Sequence, residues 1–161
     1  MGEDAQWARG EKMIAIGNDH VGIELKEAVI EVLDEYKLPY KDFGTYSSER
    51  VDYPVFAQQV AHAVTRGECE FGILLCGTGV GISIAANKVK GIRCVVCSDP
   101  YSARLSREHN DTNILAMGAR VVGIELAKMI LRNFLDGKFE DGRHGVRVEM
   151  IGEIEYGTTL Y

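Results

Sequence analysis

The chain of 161 residues has no apolar run long enough to form a membrane-spanning helix. Its opening residues, MGEDAQWARGEK, lack the basic, apolar and small-residue order of a secretion signal. Basic residues are in deficit, with 18 Lys and Arg against 24 Asp and Glu, for a net charge of −6. That balance argues against a nucleic-acid binder, yet it allows a local basic pocket for a phosphate. Internal repeats, low-complexity tracts and linkers are also missing, so one domain is expected. Cysteine is sparse: Cys69, Cys76, Cys94 and Cys97. Without a secretion signal they are expected to be reduced thiols in the cytoplasm. Cys94 and Cys97 form a CxxC inside what reads as a strand, where residues three apart face opposite sides. No second CxxC or paired His accompanies them, which disfavours zinc and leaves small buried residues as the better reading.

What the chain does have is apolar residues, at 46%, and 18 glycines, enough for a real core and many tight βα turns. Residues 1–12 are polar and read as a disordered extension or a cloning remnant. Met13 to Gly17 reads as a strand ending in Asn18-Asp19-His20. Leu25, Val29, Val32, Leu33 and Tyr36 then recur at helical spacing, and Pro39 breaks that helix. Tyr40 to Phe43 is a short strand, and 44–53 a polar loop. Pro54 suits the first turn of a helix that stops at Gly67. Further strands are expected at 71–75, 92–97 and 113–117. Helices are expected after Gly81, over about 100–107 behind the entry signal Asp99-Pro100, and from Val122 to Leu135. The segment Gly142 to Glu155 is basic at its start and admits a helix. This alternation predicts an α/β fold: a single Rossmann-like, three-layer domain over 13–155, with a five-stranded parallel sheet and helices on both faces. Residues 156–161 are left as a C-terminal tail.

The stretch Cys76-Gly77-Thr78-Gly79-Val80-Gly81 carries the most information. It places a thiol at a strand end, beside glycines whose bare amides can stabilise an anion. Its GxGxG spacing is not the GxGxxG of dinucleotide folds, and no GK[ST] follows. A free Cys is often just a small buried residue, but a neighbouring nest of N–H groups favours a reactive thiolate. In open α/β sheets ligands bind beyond the carboxyl ends of strands. Asp19 and His20, the Cys76 loop, Ser98 and Asp99, and Arg120 all follow strands and should share that edge. His109 and Asn110 belong to the other edge. They are either a polar capping loop or a contribution to a neighbouring subunit's site. Arg143 and Arg147, four apart beside His144, are either a solvated basic patch or a phosphate clamp.

Taken together, these residues resemble the ribose-5-phosphate isomerase B family, which includes the galactose-6-phosphate isomerase subunits. The resemblance rests on Ile16-Gly17-Asn18-Asp19-His20, Asp42-Phe43-Gly44-Thr45, Val51-Asp52-Tyr53-Pro54, Cys76 through Lys88 and Gly91-Ile92-Arg93. It continues through Ala103 to Asp111, Gly118 to Gly123, Gly142-Arg143-His144 and Arg147-Val148, spanning about 13–155 in order. The family often has Ser at position 18, Ala or Gly at 21, and in some members Ser at 76, so this chain resembles the thiol branch. The resemblance implies interconversion of ribose 5-phosphate and ribulose 5-phosphate through an enediolate, with no metal, nucleotide or redox cofactor. It implies Cys76 as general base, the amides of Gly77, Gly79 and Gly81 with Thr78 around the enediolate, and His109 opening the furanose ring. Asp19 would contact the C1 hydroxyl, Asn110 the intermediate, and His20, Arg120, Arg143 and Arg147 the phosphate. It further implies a homodimer with shared active sites that can pair into a tetramer. Two alternatives remain: a six-carbon substrate such as galactose 6-phosphate or allose 6-phosphate, and a non-catalytic sugar-phosphate-binding module.

Overall fold

A computed structural model describes residues 13–161; the extension expected over 1–12 lies outside the described residues. Among the described residues five strands alternate with six helices: β1 (Ile14–Asn18), α1 (Ile23–Glu35), β2 (Tyr40–Asp42), α2 (Tyr53–Thr65), β3 (Phe71–Cys76), α3 (Val80–Asn87), β4 (Cys94–Val96), α4 (Pro100–Asn110), β5 (Ile114–Gly118), α5 (Ile124–Asp136) and α6 (Arg143–Glu155). The strands form one parallel sheet in the order β2-β1-β3-β5-β4. The expected three-layer α/β domain is therefore observed. Among the described residues no helix is long and apolar enough to cross a membrane.

Strand alternation sorts the core into two halves. Ile14, Ile16, Ile73, Leu75, Leu115 and Met117 face Leu25 and Val29 of α1, Ala103 of α4, and Ile130 and Phe134 of α5. Ala15, Leu74, Cys76, Ile114 and Ala116 face Ala57 and Val60 of α2, and Ile82 and Ala86 of α3. Cys97 belongs to the first half and Cys94 packs on the second, so the CxxC thiols do lie on opposite faces.

Several boundaries differ from expectation. β4 is only three residues long because Ile92 N–H closes a turn on the Val89 carbonyl. α5 starts at Ile124, since the amides of Val121 and Val122 both turn back to the Gly118 carbonyl. α4 runs on to Asn110, so His109 and Asn110 occupy its last turn and not a loop. Asp111, at φ 45°, ends the helix in the left-handed conformation that glycine usually supplies. α6 is a full helix packed against α4. Its far end accepts the Gly91 N–H on Glu155 Oε2 at 3.0 Å, which holds it beside the amino edge of the sheet.

Candidate active site

The helix after β1 covers one face of the sheet and the helix after β3 covers the other, although the two strands are neighbours. Their C-terminal loops therefore diverge and leave a crevice, the usual ligand position in open α/β sheets. Asp19 and His20 lie on one side of it and Cys76 to Gly81 on the other. Asp19 is tied to β3 by its own N–H, which donates to the Leu75 carbonyl at 3.1 Å. Its Oδ1 accepts the Val21 N–H at 2.9 Å, fixing the carboxylate in a tight turn. His20 Nδ1 accepts the Val51 N–H at 3.3 Å, so the ring proton of the neutral imidazole sits on Nε2.

Cys76 is the last residue of β3 and is buried. Its Sγ accepts the Gly79 N–H at 3.1 Å. That donor is the amide one residue before the N-terminus of α3, and it is aimed at the sulfur. Gly79 caps α3 at φ 77°, a conformation that turns its amide back onto the thiol and suits glycine. Thr78 Oγ1 accepts the Val80 N–H at 3.3 Å, and its side chain is exposed. The loop lies directly on β5: Ala119 N–H donates to the Cys76 carbonyl at 2.8 Å and Arg120 N–H to the Gly77 carbonyl at 3.0 Å. The Arg120 guanidinium stands over Gly77. The other thiols lack this setting. Burial pushes all three up, Cys97 to about 11 with help from Asp99.

Sequence reasoning gave Tyr53 no role, yet its phenol packs against Gly81 at the mouth of the crevice. The available signal was its position at the first residue of α2, directly before Pro54.

The remaining candidates are not at this edge. His109 and Asn110 end α4, and Arg143 opens α6 with Arg147 one turn on, both exposed. From Asp111 to Gly118 the chain crosses the sheet, about 20 Å at roughly 3.3 Å per residue. One protomer thus carries two separate groups: Asp19, His20, Cys76–Gly81 and Arg120 at the carboxyl edge, and His109, Asn110, Arg143 and Arg147 at the other. The second group is ordered by a stack of the His109 and His144 rings, with centroids 4.1 Å apart and planes within 5°. The sequence reading found no paired histidines; tertiary packing makes this pair from two helices. Glu140 Oε2 lies 3.9 Å from His109 Nε2 and 3.6 Å from His144 Nε2. Burial, with His109 and Arg143 nearby, holds the His144 imidazole below its usual range.

The family model described as Ribose/Galactose Isomerase matches residues 14–151. The chain belongs to this family. It is 62% identical over 144 residues to ribose-5-phosphate isomerase B of Escherichia coli K12, covering 89% of this chain and 97% of the relative. It is 44% identical over 144 residues to D-erythrulose-4-phosphate isomerase of Pectobacterium atrosepticum, covering 89% and 95%. Among solved structures, Clostridium thermocellum ribose-5-phosphate isomerase B superposes with a TM-score of 0.87 at 55% identity, covering 89% of this chain and 97% of that one. These relatives thus differ in the length of the sugar they are named for.

Proposed function

We propose that the protein interconverts ribose 5-phosphate and ribulose 5-phosphate by proton transfer alone. The observation that carries this reading is the Cys76 thiol, held by the Gly79 amide at 3.1 Å in the crevice between β1 and β3. The high identity to a ribose-5-phosphate isomerase B supports the five-carbon substrate. In this reading the thiolate takes the C2 proton of the open aldose and returns it to C1, while a proton passes from O2 to O1. Amides of Gly77, Gly79 and Gly81, with Thr78, surround the enediolate oxygens; one such donor is worth about 3 kcal/mol. Ring opening comes first: His109 protonates the ring oxygen as the C1 hydroxyl, held by Asp19, gives up its proton. Asn110 hydrogen-bonds the intermediate. His20, through its Nε2–H, and Arg120, Arg143 and Arg147 hold the phosphate.

This assignment requires two chains, because the two residue groups lie at opposite ends of β5. Each group borders exposed apolar surface. Val80, Ile84 and Val96 flank the Cys76 loop, while Val146, Met150 and Ile154 form a stripe along α6. A two-fold axis that sets one surface against the other would complete two identical sites. The homodimer follows from that pairing, and a tetramer would need a further surface.

The test is a coupled assay of ribose 5-phosphate isomerisation with EDTA present, run beside four- and six-carbon sugar phosphates. The expected result is metal-independent turnover with the highest kcat/KM on the pentose. Turnover that vanishes in EDTA, or a higher kcat/KM on another chain length, would overturn the reading. No turnover on any of the sugars, with binding retained, would leave a binding module.

A further inference from the structure

Ring opening uses His109 but leaves its neighbours Glu140 and His144 without a task. His109 sits in the last turn of α4, and among the described residues no hydrogen bond reaches its ring. Glu140 Oε2 stands 3.9 Å from His109 Nε2, beyond hydrogen-bond length, so it acts by charge and fixes no direction. The last torsion of a histidine is broad, so its ring turns unless something flat lies against it. His144 supplies that surface, with ring centroids 4.1 Å apart and planes within 5°. His144 is itself held firmly and is only 8% exposed. Asp141 and Gly142 both take positive φ, 55° and 59°, which turns the chain sharply into α6. His144 N–H closes that turn on the Asp141 carbonyl at 3.1 Å. Just before it, Glu140 N–H donates to the Glu108 carbonyl at 3.0 Å and ties the lead-in to α4.

We infer that His144 is a positioning residue for His109, its ring face fixing the plane in which His109 Nε2 meets the ring oxygen of the sugar. This rests on the ring-opening role proposed for His109. The stack requires a neutral His144, because two imidazolium rings in contact repel each other. The surroundings provide this: burial, His109, Arg143 and Arg147 all disfavour a proton on His144, and Glu140 opposes them without prevailing. His144 therefore contributes a flat surface and no proton.

The test separates ring opening from proton transfer. Ribulose 5-phosphate is an open chain, because phosphorylation of O5 removes the hydroxyl that would close a furanose on C2. When the base removes its C1 proton and returns a deuteron from heavy water, proton NMR reads enolisation alone. Turnover of ribose 5-phosphate needs the ring opened as well. The quantity compared is the ratio of ribose 5-phosphate turnover to C1 exchange, in which any shortfall of folded protein cancels. His144→Ala should lower that ratio by at least about tenfold, toward the hundredfold that a misplacement of about 1 Å costs, with KM within about twofold of wild type. His144→Phe keeps a flat ring that can never carry a proton, and should restore the ratio to within about threefold of wild type. An unchanged ratio in His144→Ala, or a ratio in His144→Phe no better than in His144→Ala, overturns the inference. His109→Ala distinguishes the two levels of the reading. If it leaves the ratio unchanged, the ring-opening role fails and the inference fails with it. If it lowers the ratio and His144→Ala does not, only the role of His144 fails.

Discussion

Gly118→Ala tests whether the position of the Cys76 loop controls turnover. A methyl built on Gly118 would sit 2.6 Å from the Thr78 carbonyl carbon and oxygen and 2.7 Å from its Cα. Ordinary contacts between such atoms are about 3.5 Å or longer, so the overlap approaches 1 Å. All three atoms are backbone, so no side-chain rotation relieves the clash. β5 cannot retreat easily, being paired with β3 on one side and β4 on the other. The loop between Cys76 and Gly79 must move, and with it the amide that faces Sγ. Overpacking of this kind costs about 1–3 kcal/mol. At roughly 2–4 °C per kcal/mol for a chain near this size, Tm should fall by about 2–12 °C. A misplacement near 1 Å at a reacting centre costs about a hundredfold, or about 2.7 kcal/mol of barrier. The assay is kcat and KM on ribose 5-phosphate well below the new Tm, beside circular dichroism and a melt. Gly152→Ala, where a methyl meets nothing within 4 Å, is the control and should leave turnover unchanged. A folded Gly118→Ala protein with kcat/KM within twofold of wild type would refute the argument that loop position sets the rate.

Other outcomes follow from the same geometry. Cys76→Ala and His109→Ala should each be nearly inactive, yet equal amounts refolded together should regain about a quarter of wild-type turnover per chain, since half the dimers hold one intact site of two; no recovery would show that both residues serve one chain's site. Tyr36 donates to Asp136 Oδ1 at 2.9 Å, and burial, that bond and the Asp136 charge raise its pKa from 10.0 to about 12. A raised pKa stabilises the fold below pH 10 and loses that contribution as pH climbs to about 12. Tyr36→Phe should therefore show a flatter fall of urea midpoint over that window, and an unchanged slope would sink the assignment. Lys26, almost fully buried, pairs with Asp42 at 3.0 Å and donates to the Thr45 carbonyl at 3.0 Å. Lys26→Met should cost about 3 kcal/mol in urea denaturation; a loss under about 1 kcal/mol would rank the pair with surface ion pairs.

The order of elements and the location of half of the site were legible in the chain. Ile14 to Gly17 and Phe71 to Cys76 carry no polar side chain because a parallel sheet is buried on both faces, and local composition is enough to reveal that. Asp19, Cys76 and Arg120 could be placed at one edge because each directly follows a strand, and parallel strands end together. The His109–Glu140–His144 cluster was not legible. Its members come from the end of α4, the lead-in to α6 and its first turn, so only the packing of α6 on α4 brings them together. The extent of α4 was hidden for a related reason: Asp111 caps it with a positive φ where no glycine marks the end. By itself, then, the sequence determined the sheet, the crevice and the thiol in it, since these depend on hydrophobic period and on the residue that follows each strand. Tertiary structure alone decided that Arg143 and Arg147 join His109 and Asn110 across the sheet from that thiol, because only the packing of α6 on α4 brings them to the edge that His109 and Asn110 already occupy by preceding β5.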